Sequence, residues 1–502
     1  MNSTAISKAA DDSSQHSKPE VKLLRHVTLM DGVAILVGSM IGSGIFITPT
    51  SCLKYAGSPG AAILIWFASG CLAMLGALSF AELGTTITSS GGEAAYIKTA
   101  FGSMPTFLFI WVNVLVVRPV IVAIVTVSFG EYVIGPFIGS IGECDSERRD
   151  QIARFTAAFG LFLLMMINCY SVKLATKLQD VLTIAKLVAL GVIITIGFVR
   201  LGQGHTENFK NPFQNTNGIQ KISLAFYSGL FSFGGWNFLN LVTGEMKNPT
   251  RDLPLSILIG MPIVTAVYVL TNIAYLSVLS VEDMKLSKAV AFDFASKINY
   301  YLAWFMPIFA GLSAYGTANA VLFTSGRIYY IGAQNGHLPQ ILSMINIKWL
   351  TPMPSIIALT LISLFYMTGK DIISLINFMS FIFYFFTAMC VVGLLYLRWK
   401  KPDIPRPIKL NVLIHLAFLL SSAFILITSL ISDYKDISKG LLMLLLGIPV
   451  YYLFVKKYLI PRSFFKTFDK FTKWIQMLFV VVPSEEKEND PLSYGEETMS
   501  PL

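Results

Sequence analysis

The sequence has little charge. Only 13% of its 502 residues are charged, whereas soluble domains carry roughly 25%. The charges are clustered, so long apolar windows contain none, and a stretch of about 20 apolar residues is what a helix needs to cross a bilayer. The composition excludes a soluble globular domain and predicts an all-α protein that crosses a membrane many times. The net charge is +9, but the basic residues cluster at the ends of these windows, so the charge does not indicate nucleic-acid binding.

The sequence also lacks the residue clusters of an enzyme or a channel. None of its histidines stands at metal-ligand or triad spacing from another histidine, a cysteine or an acid. No segment resembles a selectivity filter or a charged ring. A membrane-embedded enzyme or a channel is therefore only a remote alternative, and no cofactor or metal is expected. The histidines are His16, His26, His205, His337 and His415.

About twelve apolar windows follow a polar amino-terminal segment that has no signal-peptide core. We expect 1–28 to be a disordered cytosolic tail, 29–200 to hold spans 1–5, 221–397 to hold spans 6–10, and 411–458 to hold spans 11 and 12. Residues 459–502 are predicted to form an interfacial helix and an acidic tail. Lysines and arginines are enriched on the side shared by both termini, which predicts that both termini are cytoplasmic.

Glycines interrupt two of these windows. "GSMIGSGIFITP" (38–49) lies in the first span and "YSGLFSFGGWNFLNLVTG" (227–244) lies in the sixth, which are corresponding positions if spans 1–5 and 6–10 are repeats. Paired interruptions of this kind indicate a substrate site at the membrane midplane. Freed N–H groups could hold a carboxylate and freed carbonyls an ammonium group. The alternative is close helix packing through small residues, but the pairing of the two breaks favours a site.

Four polar residues raise further alternatives. Lys186 lies in an apolar run without an acidic neighbour, so it is either a functional group or an ammonium group that reaches an interface. Cys144 lies in a polar loop on the side opposite the termini, where it could pair with another chain or remain a free thiol. Glu82 and Glu93 lie near predicted cytoplasmic helix ends, where they could form gate ion pairs or simply face the interface.

Several long motifs resemble the light chains of the heteromeric amino acid transporters, which belong to the amino acid–polyamine–organocation superfamily. They include "GVAILVGSMIGSGIFITPT", "NCYSVKLATKLQD", "FGGWNFLN" and "LFTSGRIYYIGAQNGHLP". The resemblance covers roughly residues 25–483 and is strongest for the L-type members, which carry large neutral amino acids. It implies twelve spans arranged as a five-plus-five inverted repeat, similar to the leucine transporter, followed by two extra helices.

The resemblance also implies roles for particular residues. The substrate carboxylate would be held at the first break and the amino group at the second, with Phe231 as the gating aromatic and Lys186 as the surrogate of a sodium ion. Cys144 would form a disulfide with a single-span glycoprotein heavy chain. The implied binding residues are Ile41, Gly42, Ser43, Gly44, Phe231, Ser232, Gly234 and Asn237, with Thr317, Phe383 and Tyr384 lining the pocket.

The predicted function is a sodium-independent plasma-membrane exchanger of neutral amino acids, including large aliphatic and aromatic ones. Gly234 stands where light chains for basic amino acids have an aspartate, which argues for neutral substrates because an unpaired buried ion is costly. Asn237 could still hydrate a cationic group, so an exchanger of neutral and cationic amino acids is the alternative. Phe383 and Tyr384 replace the Asn and Trp that are usual in L-type members, so the range of accepted side chains is open.

Overall fold

The structure is a computed structural model that describes residues 27–87, 92–140, 146–241, 243, 246–334, 336–369, 372–432, 434–455 and 472–483. These residues are mostly helical. The helices are α1 (Leu29–Met40), α2 (Gly44–Ile47), α3 (Pro49–Ala56), α4 (Pro59–Thr86), α5 (Gly92–Phe101), α6 (Ser103–Val112), α7 (Arg118–Ile134), α8 (Ser146–Tyr170), α9 (Val172–Gly202) and α10 (Ile219–Ser232). They continue with α11 (Phe238–Leu241), α12 (Pro249–Val278), α13 (Val281–Leu286), α14 (Val290–Ser296), α15 (Tyr300–Gln334), α16 (Met353–Met367), α17 (Ile372–Lys400), α18 (Val412–Ser432) and α19 (Tyr434–Val450).

Ten helical segments among the described residues are long and apolar enough to cross a membrane. Helix α16 is apolar but shorter than this length criterion. Helices α10 and α11 are separated by a break, so neither qualifies alone. The predicted all-α, multi-pass class is confirmed, and the number of about twelve spans stays a prediction. The inverted repeat and the domain boundaries stay predictions.

Local sequence explains where the helices begin. Thr28 and Asp31 form a capping box at the start of α1, because the Asp31 carboxylate accepts from the Thr28 N–H at 2.9 Å and the Asp31 N–H donates to the Thr28 hydroxyl at 3.4 Å. Helices α3, α4, α12 and α16 each have proline in the first turn, where its missing N–H costs no hydrogen bond. Large exposed apolar side chains such as Phe155 and Phe365 then face the lipid.

The helices pack into two groups that flank the candidate site. In one group, α12 packs against α1 and α4, and α10 packs against α4. In the other group, α7, α8, α15 and α16 pack against one another. Helix α9 contacts both α12 and α15, and α17 contacts both α7 and α10. Helices α9 and α17 therefore connect the two groups.

Two local features differ from a simple row of helices. A π-helical turn, Asn113–Val117, joins α6 to α7, and Pro119, the second residue of α7, has no N–H to donate to the carbonyl of Leu115. At the other end of the chain, residues 472–479 are helical, and the strand Val481–Pro483 pairs antiparallel with the strand Met344–Asn346. The prediction for 459–502 contained no strand, so part of this segment is attached to the loop between α15 and α16.

Candidate substrate site between two helix breaks

The first break separates α1 from α2. Residues 41–43 are not helical, as the glycines and serines there predict. The Ser43 N–H donates to the Thr317 hydroxyl at 3.1 Å. The Ser39 hydroxyl, two residues before the break, lies 3.2 Å from the Gly235 carbonyl oxygen. The first span is therefore bonded to α15 through its backbone and to the sixth span through a serine side chain.

The second break is a series of turns over residues 233–237, between α10 and α11. Gly235 has a φ of 104°, a conformation that other residues rarely adopt. A Cβ at this position would also lie 2.8 Å from the Ser39 carbonyl oxygen. This glycine is required both by the turn and by the close approach of the first span.

The two breaks lie side by side. A Cβ added to Gly44 would lie 2.6 Å from the Cα of Ser232, so only glycine allows this approach. The hydroxyls of Thr48 and Ser232 are 2.7 Å apart. The start of α2 therefore adjoins the end of α10, and a helix N terminus carries partial positive charge whereas a C terminus carries partial negative charge.

A cavity of about 140 Å³ opens between the breaks, α6–α7, α15 and α17. Polar groups lie at the breaks, and much of the remaining wall is apolar, including Ile121, Val125 and Leu230. The sequence-predicted residues that line the cavity are Gly42, Ser43, Gly44, Phe231, Ser232, Gly234, Asn237, Thr317, Phe383 and Tyr384. Their contacts with a substrate stay predictions.

Two of the predicted site residues lie outside the cavity wall. Ile41 is buried and does not line the cavity. Lys186 is buried on α9, where its Nζ donates to the Gly38 carbonyl oxygen at 2.8 Å. Its ammonium group therefore reaches the first span just before the break instead of an interface, which excludes the alternative that it extends to the membrane surface.

The sequence did not place Glu93 or Arg118 in the cavity wall, yet both line it. The Asn237 amide donates to the Glu93 carboxylate. The Arg118 guanidinium lies over the Phe238 ring, 5.9 Å from its centre, and Arg118 directly follows the π-helical turn. The sequence shows that Arg118 lies in an apolar window and that Glu93 lies near a helix end. It does not show which side of its helix faces the cavity.

Glu82, considered above for a gate or an interface, is fully buried in an ion pair. Arg398 donates to both of its carboxylate oxygens, and the Leu410 N–H donates to it at 3.0 Å. His415 lies 3.3 Å from the same carboxylate and 2.8 Å from the Ser79 hydroxyl. This cluster joins α4, α17 and α18 outside the cavity.

A second crevice of about 400 Å³ lies near the ends of α7 and α14 and the start of α15. Its cations are already paired, because Arg149 lies 3.4 Å from Glu131 and Lys288 lies 2.5 Å from Asp150. Burial raises the pKa of the Asp293 carboxyl, which accepts from the Ser287 hydroxyl. Among the described residues, both cations that line the crevice are therefore in ion pairs. The cysteine predicted to form the interchain disulfide, Cys144, lies outside the residues that the structure describes.

Comparison with known proteins agrees with this architecture. The family model described as "Amino acid permease" matches residues 28–455. The chain belongs to the amino acid permease family. It is 40% identical to the human cystine/glutamate transporter over 93% of both chains, and 41% identical to the human large neutral amino acids transporter small subunit 2 over 95% of this chain and 89% of that protein. It is 39% identical to the human b(0,+)-type amino acid transporter 1 over 97% and 99% of the two chains.

These similarities confirm the resemblance to light chains of heteromeric amino acid transporters. This permease is a multi-pass membrane protein that transports amino acids, and it is not an enzyme. The three relatives have names that refer to different substrates, so the comparisons leave the substrate range of this permease open.

Proposed function

We propose that this permease is a sodium-independent exchanger of neutral amino acids, including large aliphatic and aromatic ones, that works by alternating access. The observation that carries the proposal is the side-by-side placement of the two breaks on one mostly apolar cavity. The backbone can bind the charged ends that all amino acids share, and the apolar wall can bind the side chain.

The start of α2 and the end of α10 suit the two ends of a zwitterion. The first N–H groups of a helix and its last carbonyls lack intrahelical partners, and their partial charges attract a carboxylate and an ammonium group respectively. Gly42 and Gly44 would bring N–H groups to the carboxylate, which would replace the Thr317 hydroxyl as acceptor for Ser43. Carbonyls of Phe231 and Ser232 would accept from the ammonium group, and the Phe231 ring would close over the substrate.

The charges in the cavity wall support a neutral substrate side chain. Glu93 and Arg118 have opposite charge and both line the cavity, so they leave no net charge for an ionic side chain. Gly234 adds no carboxylate. The alternative, exchange of both neutral and cationic amino acids, is favoured by one observation, namely that the Glu93 carboxylate and its partner Asn237 face the cavity.

Lys186 supports sodium-independence. Its Nζ is bonded to the Gly38 carbonyl beside the first break, where a fixed ammonium group supplies the charge that a bound sodium ion would supply. The movement of the two helix groups against each other would then depend only on the substrate, which is what an exchanger requires.

Relatives named as small subunits support a larger assembly. We place this permease in the plasma membrane with both termini in the cytoplasm, as the light chain of a heterodimer whose single-span glycoprotein heavy chain is bonded to Cys144. The oxidising side of the membrane allows such a disulfide.

The exchange proposal is tested with the purified full-length chain in liposomes loaded with labelled leucine or phenylalanine. We expect efflux to accelerate when unlabelled leucine or phenylalanine is added outside, and to be unchanged when sodium is replaced by choline. Lysine and glutamate are also added outside, each on its own. Acceleration of efflux by lysine would favour the exchange of both neutral and cationic amino acids, whereas no acceleration by either would favour a neutral substrate range. Efflux that is independent of external amino acids would contradict exchange and favour a channel.

A further inference from the structure

The π-helical turn between α6 and α7 leaves one carbonyl without a backbone donor. In a π-helical turn a carbonyl accepts from the N–H five residues later, and the Arg118 N–H donates in this way to the Asn113 carbonyl. The same pattern would pair the Val114 carbonyl with the N–H of residue 119, but that residue is proline and has no N–H. The Val114 carbonyl therefore needs a donor from another helix.

Tyr329 on α15 supplies this donor. Its side chain is fully buried, in an apolar cluster that includes Ile110 and Val114, and its hydroxyl donates to the Val114 carbonyl oxygen. A buried carbonyl without a donor is costly. The phenol thus replaces the N–H that Pro119 lacks, and it stabilises the backbone of the π-helical turn.

The conformation of this turn determines what faces the cavity. Asn113, Val117 and Arg118 all line the cavity wall. The Arg118 guanidinium lies 5.9 Å from the centre of the Phe238 ring, but its buried Nε atom has no hydrogen-bond partner among the residues that the structure describes. The direction of the Arg118 side chain therefore depends mainly on the backbone from which it projects.

We infer that Tyr329 is a positioning residue for substrate selectivity, which fixes the π-helical turn so that Arg118 faces the cavity and offsets the charge of Glu93. Tyr329 does not line the cavity, so it acts through the Val114 carbonyl. The inference rests on the proposed function and deepens it, because the offset of these two charges is what suits the cavity to a neutral side chain. A cavity in which Arg118 turned away would keep the Glu93 carboxylate and would attract a cationic side chain.

The same helix provides a matched control. The Tyr315 hydroxyl donates to the Gly160 carbonyl oxygen of α8 at 3.1 Å, so it also joins α15 to the backbone of a neighbouring helix. Neither Tyr315 nor Gly160 lines the cavity. Tyr329→Phe and Tyr315→Phe therefore remove the same kind of bond, and only the first removes a contact with the π-helical turn.

The experiment measures charge selectivity with the full-length chain in liposomes. The concentration of external lysine that halves the exchange of labelled leucine is divided by the corresponding concentration of unlabelled leucine. Losing a hydrogen bond of ordinary strength predicts that Tyr329→Phe lowers this ratio by about three- to tenfold, whereas Tyr315→Phe should leave it unchanged. A smaller amount of folded protein slows exchange in both measurements equally, so it does not alter the ratio.

Two further variants test the route by which Tyr329 acts. Arg118→Gln should lower the ratio at least as far as Tyr329→Phe, and adding Tyr329→Phe to it should lower the ratio no further. Pro119→Ala restores an N–H that can bond the Val114 carbonyl. Tyr329→Phe added to Pro119→Ala should therefore change the ratio less than Tyr329→Phe alone.

The outcomes separate this inference from the proposed function. If the unchanged chain does not exchange leucine, the proposed function fails and the inference fails with it. If it exchanges leucine and Tyr329→Phe has the ratio of Tyr315→Phe, the positioning role is wrong and the proposed function stands. A further fall when Tyr329→Phe is added to Arg118→Gln would also overturn the inference.

The same variants cover a failure to fold. Recovery of folded protein from Tyr329→Phe only when Pro119→Ala is added would support the replacement of the missing N–H by the phenol. Failure to recover either form would overturn the inference, because it would show that Tyr329 serves stability and not selectivity.

Discussion

At the scale of a residue, Lys186 shows how a buried charged side chain forms one specific hydrogen bond. A lysine in an apolar run is compatible with two arrangements, since its long side chain can reach an interface or an internal acceptor. The structure has the second, with the Gly38 carbonyl at 2.8 Å. The ammonium group thus supports the first span at the position where the helix is about to unwind.

We predict that Lys186→Ala abolishes exchange. The substitution removes the donor to Gly38 and the positive charge beside the first break, so the break loses the group that fixes it. The measurement is efflux from liposomes stimulated by external leucine or phenylalanine, normalised to the amount of reconstituted protein. Lys177→Ala is the control, because Lys177 is on the same helix and exposed, and it should exchange normally. Full exchange by Lys186→Ala would refute the role.

At the scale of an element, the breaks depend on glycines that allow two helices to touch. We predict that Gly44→Ala strongly reduces exchange, because the added methyl group would lie 2.6 Å from the Ser232 Cα and the two breaks would have to move apart. Gly191→Ala on α9 is the control, since a methyl group there meets nothing within 4 Å and alanine favours a helix over glycine by about 1 kcal/mol.

Initial rates and the KM for leucine or phenylalanine in liposomes distinguish these two variants. A raised KM or lost binding is expected for Gly44→Ala alone. Equal rates and equal KM values for both variants would mean that the separation of the breaks does not control substrate binding.

The elements also show how far the sequence could be interpreted. Both breaks were predictable because glycines in an apolar window conflict with the need to satisfy every backbone group within a membrane. The positions of Glu93 and Arg118 were not, because the direction of a side chain on a span depends on the rotation of that span against its neighbours. The π-helical turn before Pro119 shifts that rotation for α7. The pairing of Val481–Pro483 with Met344–Asn346 joins segments that are distant in sequence and too short to have a strand pattern.

At the scale of the whole molecule, the breaks and the cavity that we propose to bind the substrate all lie within this one chain. The heavy chain of the proposed heterodimer then has a different task, such as delivery to the plasma membrane. The chain offers one thiol for this attachment in a polar loop, Cys144, whereas Cys52, Cys169 and Cys390 are buried. Cys71 is exposed but lies within α4, a membrane-crossing segment.

We predict that this permease, expressed in cells together with a heavy chain, migrates on a non-reducing gel as a heavier band that a reductant converts to the monomer, and that Cys144→Ser removes the band. A disulfide requires a second thiol within about 6 Å between Cα atoms, which a polar loop on the oxidising side can meet and a mid-membrane position cannot. Cys71→Ser is therefore the control and should retain the heavier band. Persistence of the band in Cys144→Ser would assign the bond to another cysteine, whereas its absence in the unchanged, co-expressed chain would contradict a covalent heterodimer.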